Sequence, residues 1–279
     1  MTQRLLVSLA HPDDESFGSG PLVAKLVAEG AEVTLICATN GDVGSAEEKY
    51  MQGYSSVAEM RLAELDCAAK VLGFKEVVLF GYRDSGMMGS ADNNDPKSLW
   101  QAPLDEVTDR IVEVMRRVRP QVILTFDPYG GYGHPDHIKI NRATLAAFQK
   151  VQSDPVHPQK VYYGGFPKRL MWLSLVWMRV RGQNPRKLGL NGDMDFQAVY
   201  DNILPTHVQI DVSNYLAIGK QAAECHASQA SPIRRGGNPV ARAVERTLLN
   251  TQRLTRAFPE PKRGEPTERD LFQGVATSN

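Results

Sequence analysis

Short unbroken apolar runs alternate with longer stretches of helical periodicity through the first 165 residues. Leu5 to Ala10 (LLVSLA), Glu32 to Ala38 (EVTLICA), Glu76 to Phe80 (EVVLF), Gln121 to Phe126 (QVILTF) and Lys160 to Tyr163 are too brief for helices and predict buried strands. Between the first two, Ser16 to Glu29 carries Phe17, Leu22, Leu26 and Val27 at helical spacing, with Gly30 as a stop. Val57 to Leu72 repeats the pattern with Met60, Leu62, Leu65, Ala68, Ala69 and Leu72, and Gly73 follows its end. A third helix is predicted from Pro103, which suits a first turn, to Arg119, and a fourth from the glycine-rich loop DPYGGYGHPDH to about Val151.

Strands alternating with helices in this way predict an α/β fold: a Rossmann-like, doubly wound, mostly parallel sheet with order 3-2-1-4-5. Residues 1–165 form this core, and 166–279 are expected to extend the same domain with a sheet edge and substrate-side loops. Leu170 to Met178 is apolar, bears two tryptophans and is flanked by Lys168, Arg169, Arg179 and Arg181. It is too short to span a bilayer. It predicts either a core element or an exposed face that joins subunits of a homo-oligomer or covers the substrate. A place at a sheet edge after the fifth strand favours subunit contact over a lid. A strand from Val208 (VQIDV), a helix from Ser213 to about His226 and a surface-wrapping tail over the last 45 residues complete the expectation.

Apolar residues at 42% and charged residues at 23% support a sizeable core and exclude general disorder. Lys+Arg and Asp+Glu both number 32, which argues against nucleic acid or an anionic membrane as the general partner. Cys37, Cys67 and Cys225 are widely spaced and odd in number. That argues against a disulfide framework and a cysteine-built zinc site, and fits a reducing compartment. The start, MTQRLLVSLAHPDDE, has too short an apolar run for a signal peptide or membrane span. A soluble cytoplasmic protein is expected.

In such a sheet ligands bind outside the carboxyl ends of the strands, where strand order reverses. That point lies between strands one and four, whose loops read His11-Pro12-Asp13-Asp14-Glu15 and His134-Pro135-Asp136-His137. The residue types suit one zinc ion, which takes three His or carboxylate ligands at a catalytic site and keeps a position open. His11, Asp13, Asp14, His134, Asp136 and His137 are all candidates, and composition alone does not choose among them. In a tight turn, spacing i to i+3 pairs His11 with Asp14. The remaining acids and imidazole would then serve as base and acid.

AHPDDE at 10–15 followed by GGYGHPDH at 130–137 resembles the zinc-dependent N-acetylglucosaminyl deacetylase family, the PIG-L or LmbE-like family. Arg61 in RLAEL and RDSGMMG at 83–89 are similar to its mycothiol-pathway branch, the GlcNAc-inositol deacetylase and the mycothiol S-conjugate amidase. HASQ at 226–229 and RDLFQGV at 269–275 resemble its C-terminal features. The resemblance implies that His11, Asp14 and His137 bind one Zn2+ per chain. It makes Asp13 the general base toward the attacking water, and His134 a protonated group that stabilises the oxyanion and helps the leaving amine. Asp136 would orient or charge an imidazole, most naturally that of His134. Tyr132 would polarise the amide carbonyl, and Arg61 and Asp84 would contact the sugar or its aglycone. The implied activity is removal of an N-acetyl or related N-acyl group from an N-acetylglucosamine conjugate, a small-molecule partner. The alternative is an amidase acting on a thiol-glucosaminyl conjugate.

Two other enzymes share parts of this pattern. A dinucleotide enzyme needs G-x-G-x-x-G, but Gly18 and Gly20 have no third glycine at 23, and the second strand ends at Thr39 and Asn40 without a ribose-binding acid. A metallophosphoesterase needs more bridging carboxylates for a second metal. A purely structural zinc site is usually closed by four Cys or His ligands, and these loops hold spare acids and bases instead.

Overall fold

A computed structural model describes residues 2–44, 46–188, 192, 194–229 and 250–276. The chain runs β1 (Arg4–Leu9), α1 (Asp14–Ala28), β2 (Glu32–Thr39), α2 (Val57–Leu72), β3 (Glu76–Tyr82), α3 (Leu104–Val118) and β4 (Val122–Thr125). It continues with α4 (Gly130–Gly133), α5 (Pro135–Lys150), β5 (Lys160–Gly164), α6 (Lys168–Val180), α7 (Phe196–Asn202), β6 (Val208–Asp211), α8 (Leu216–Cys225) and β7 (Thr251–Phe258). The sheet order is β3-β2-β1-β4-β5-β7-β6. The first five strands are parallel in the expected order. β7 runs antiparallel to both β5 and β6.

Alternation along β1 divides the core. Leu5, Val7 and Leu9 pack on one face with α1, α2 and α8, while Leu6 and Ala10 face α3 and α5 on the other. Burying both faces explains why these strands read as continuous apolar runs. α2 is capped as its sequence asks: the Ser56 side chain accepts from Glu59 N–H, and Gly73 takes φ 77° at the other end.

Three expectations are corrected. The tail is not merely a surface wrap, because β7 lies within the sheet between β5 and β6. β5 is therefore no edge strand, and the edge argument for α6 falls with it. Part of that tail, 235–249 and 277–279, lies outside the described residues, as do 189–191 and 193 of the segment that reads least clearly. Secondly, α6 is not a core element. Among its large apolar residues only Leu175 is buried, whereas Trp172, Leu173 and Trp177 are at least half exposed. Thirdly, Cys67 and Cys225 form a disulfide across 158 positions. α2 and α8 pack side by side and bring their Cα atoms to 5.8 Å, a juxtaposition that cysteine spacing along the chain does not reveal. The cysteine count accordingly lends no support to a reducing compartment. Among the described residues no helix is long and apolar enough to cross a membrane.

Candidate active site

β1 and β4 are neighbours, paired Leu5 to Val122 through Val7 to Leu124, so the loops leaving their carboxyl ends meet. The first carries His11 to Glu15. The second passes through α4, whose Gly130, Gly131 and Gly133 all have positive φ, and enters α5 at His134. The His134 side chain caps α5 by accepting from Asp136 N–H at 3.2 Å. Pro135 at the first helical position leaves no orphaned donor there. Asp136 and His137 thus occupy the first turn of a helix whose N-terminus favours negative charge.

His11, His134, Asp136 and His137 are all buried. His11 Nδ1 lies 3.1 Å from His137 Nε2, and the Asp14 carboxylate approaches these atoms at 3.5 and 3.4 Å. The outer nitrogens have other partners. His137 Nδ1 is 3.1 Å from Gly130 carbonyl, and His11 Nε2 is 3.1 Å from Asp136 Oδ2. A proton on each outer nitrogen leaves two imidazole lone pairs and a carboxylate facing one another. Such a cradle demands positive charge, either a proton on His11 or a divalent cation. Burial opposes charge on His11, but Asp84, Asp136 and Asp14 outweigh it and hold its pKa well above the usual value. A metal would displace that proton. The Phe126 ring stacks on His137 at 3.8 Å and, with the Gly130 carbonyl, fixes its plane.

Among the described residues, two donor sets bring their atoms within 4.8 Å: His11, His134 and His137, and His11, Asp84, His134 and Asp136. They share His11 and His134, so they are alternative seats for one ion, unlike the paired metals of a phosphoesterase. In the second set both Asp136 oxygens are already held by Ser85, one through its backbone N–H at 2.9 Å and one through its hydroxyl. Asp84 Oδ1 accepts from Gly86 N–H at 2.8 Å.

Asp13 stands beside this cluster with φ 122° and ψ −28°, outside the regions that side chains favour. Such a residue typically costs about 1–3 kcal/mol and persists only where its surroundings impose it. Burial drives its carboxyl pKa up to about 7 against the lowering effect of the Arg61 guanidinium. Asp14 goes the other way: burial is outweighed by His137 and His11, which hold it well below the carboxylate range. Asp84 is lowered similarly by His11, against its own burial.

The other site residues depart in part from expectation. Asp136 grips His11 at 3.1 Å more closely than His134, at 4.0 Å. His134 is neutral here, since Nδ1 accepts a backbone N–H. Burial, then the charges of His11 and His137, push its pKa down to about 3. Its Nε2 is left to carry a proton toward the cavity. Arg61 is buried and occupied. It donates to the Pro12 and Gly41 carbonyls and lies 3.0 Å from Asp13 Oδ2, so it anchors the Asp13 loop while also lining the cavity. A Cβ at Gly41 would collide with this guanidinium. Asp84 packs 3.5 Å from His11 Nε2. Tyr132 is half-buried above the imidazoles, its ring edge-on to His137 at 5.0 Å. Ser85, Phe126 and Glu15 were not singled out from the sequence, although Ser85 and Glu15 lie within the motifs RDSGMMG and AHPDDE.

A cavity of about 350 Å³ opens at these groups, with Asp13, Tyr132, His134, Met87, Ser90 and Gln229 among its lining residues. That is room for a small sugar conjugate.

Among solved structures, the fold resembles N,N'-diacetylchitobiose deacetylase from Pyrococcus horikoshii, with TM-score 0.58 and 19% identity over 91% of this chain and 83% of that one. It also resembles 4-carboxy-2-hydroxymuconate hydratase from Pseudomonas putida, with TM-score 0.59 and 20% identity over 95% of this chain and 100% of that one. Likeness at this level speaks for the fold alone, which evidently serves more than one reaction. Sequence says more. A Streptomyces avermitilis protein named 1D-myo-inositol 2-acetamido-2-deoxy-alpha-D-glucopyranoside deacetylase is 33% identical over 98% of each chain. The profile of the PIG-L family, described as GlcNAc-PI de-N-acetylase, matches residues 6–148. That span holds both histidine loops and more than half of the 279 residues, and with near-full-length identity to a curated relative it places this chain in the PIG-L family.

Proposed function

We propose that this protein is a zinc-dependent hydrolase that removes the N-acetyl group from an N-acetylglucosamine-type conjugate, with GlcNAc-inositol as the leading substrate. One observation carries the reading. Two imidazole nitrogens and the Asp14 carboxylate converge within 3.5 Å of one another, beside a second carboxylate whose pKa lies near neutrality, at a cavity lined by His11 and Asp13. His11, Asp14 and His137 would hold the ion, two nitrogens and one oxygen being an open set suited to zinc. When bound, zinc supplies Lewis-acid polarisation and makes water a better nucleophile near neutral pH.

This chain's own residues do the rest. Asp13 accepts a proton at its carboxylate, where a pKa of about 7 matches it to reversible proton transfer. His134 donates an Nε2–H hydrogen bond to the developing oxyanion, while its Nδ1 is held by Asp136 N–H, and the proton that Asp13 takes from the attacking water is the one passed on to the leaving amine. Asp136, clamped by Ser85, fixes the tautomer and plane of His11. Tyr132 offers a hydroxyl to the amide carbonyl from a loop whose glycines permit the approach. Met87, Ser90 and Gln229 also line the cavity and are available to contact an aglycone.

The test is release of free amine by the zinc-loaded protein from GlcNAc, chitobiose, GlcNAc-inositol, GlcNAc-malate and thiol conjugates of glucosaminyl-inositol. Turnover is expected on GlcNAc-inositol. Turnover confined to the thiol conjugates would make the protein an amidase, and none on any of them would overturn the reading.

A further inference from the structure

Asp13 has a positive φ, and its side chain makes no cap to α1. Its backbone N–H donates instead to Glu15 Oε2 at 2.9 Å. Glu15 is fully buried, and its other oxygen accepts from the Ser16 hydroxyl and lies 2.7 Å from His226 Nε2. His226 is also fully buried. It arrives from the end of α8, 211 positions along the chain. α8 is itself held down on both sides: Gly219 packs against Pro21 of α1, and Cys225 is bonded to Cys67 of α2.

A buried ion pair seldom adds net stability, because desolvation offsets the attraction. The value of this one is geometric. Arg61 grips the Asp13 carboxylate, and Glu15 grips the Asp13 N–H, so the residue is held from both ends. We infer that the Glu15–His226 pair is a positioning device that keeps the Asp13 carboxylate aimed into the cavity. Freed of it, φ returns to the negative region and the carboxylate swings away from where a water must stand. The inference rests on Asp13 as the base of the proposed reaction. Neither Glu15 nor His226 touches substrate.

The experiment is a mutant cycle read on kcat, KM, zinc content and urea midpoint, with a crystal structure of His226→Ala. Misplacement of a catalytic group by an ångström costs on the order of 10²-fold, so His226→Ala and Glu15→Gln are each expected to lower kcat about 10–100-fold. KM and one zinc per chain should be retained. Asp13→Asn/His226→Ala should be no slower than Asp13→Asn, since a misaimed base that cannot accept a proton loses nothing more. His226→Gln, which keeps an N–H donor toward Glu15, should recover most of the rate and serves if the alanine variant does not fold. Losses that multiply in the double variant would overturn the inference and leave a merely structural staple. Asp13 φ is read without turnover. If φ stays positive in His226→Ala or, should that variant not fold, in Glu15→Gln, the inference fails even if no substrate is found. A wild-type enzyme inert on every GlcNAc conjugate would instead count against the proposed function.

Discussion

At the scale of single residues, the proposed function divides the site into groups that would hold an ion and groups that would move a proton. His11→Ala and His137→Ala should each lose stoichiometric zinc, because each removes one of two facing lone pairs. Elemental analysis of the purified proteins checks this, and full retention by both would reject the ligand assignment. Asp13→Asn should keep its zinc and lose about 10²–10⁴-fold in kcat, the usual scale of a lost general base. Tyr132→Phe should lower kcat more than it raises KM if the hydroxyl acts mainly in the transition state. An effect on KM alone would make it an ordinary binding group. The histidine and aspartate motifs were legible because their residue types are rare together. Ser85 and Glu15 were not, since a lone serine or a third acid in an acidic loop has many routine uses.

At the scale of elements, positions depend on close backbone approach. A Cβ on Gly219 would sit 2.5–2.9 Å from the ring and nitrogen of Pro21, atoms that cannot rotate away. Gly219→Ala should therefore destabilise by about 1–3 kcal/mol, the range for overpacking, as read from the urea midpoint. An unchanged midpoint would show that α8 shifts freely on α1. Helix and strand limits in the first 165 residues were readable because propensity, caps and period agree there; α2 is observed from Val57 to Leu72 as expected. β7 was not, because TQRLTRAF is mostly polar and becomes a strand only through pairing with β5 and β6.

At the scale of the molecule, the C-terminal part completes the sheet and core and adds buried polar ties to them. Glu268 is buried among Lys160, Arg256 and the Tyr162 hydroxyl, with Lys160 Nζ at 2.8 Å. Burial opposes its charge, but these partners prevail and hold its pKa below the ordinary 4.5. The stability it contributes is thus fully present above that value and is lost as pH falls through the lower folded value. Glu268→Gln should melt lower at neutral pH and show a shallower acid-side decline than wild type. Parallel curves would deny the network this role. The Cys67–Cys225 bond closes a long loop, and its removal as Cys67→Ser/Cys225→Ser should cost about 2–4 kcal/mol. Trp172→Ser/Trp177→Ser should leave the chain folded at a cost of about 1–3 kcal/mol, since both rings are half exposed and Trp177 also stacks under Arg181. Loss of folding in that variant would return α6 to the core.

The parallel core, its strand order, the crevice between the first and fourth strands and the family could all be read along the chain. Local apolar periodicity, chain chirality and two residue-dense motifs carry that information without reference to distant contacts. Folding in three dimensions was needed to choose which imidazole Asp136 grips and to set Arg61, expected to contact the sugar or its aglycone, against the Asp13 loop. It also decided that two of three cysteines pair, that the tail enters the sheet and that His226 meets Glu15. Each of these depends on atoms brought together from positions far apart in the chain. Hydrogen-bond direction and burial exist only once the chain has closed on itself.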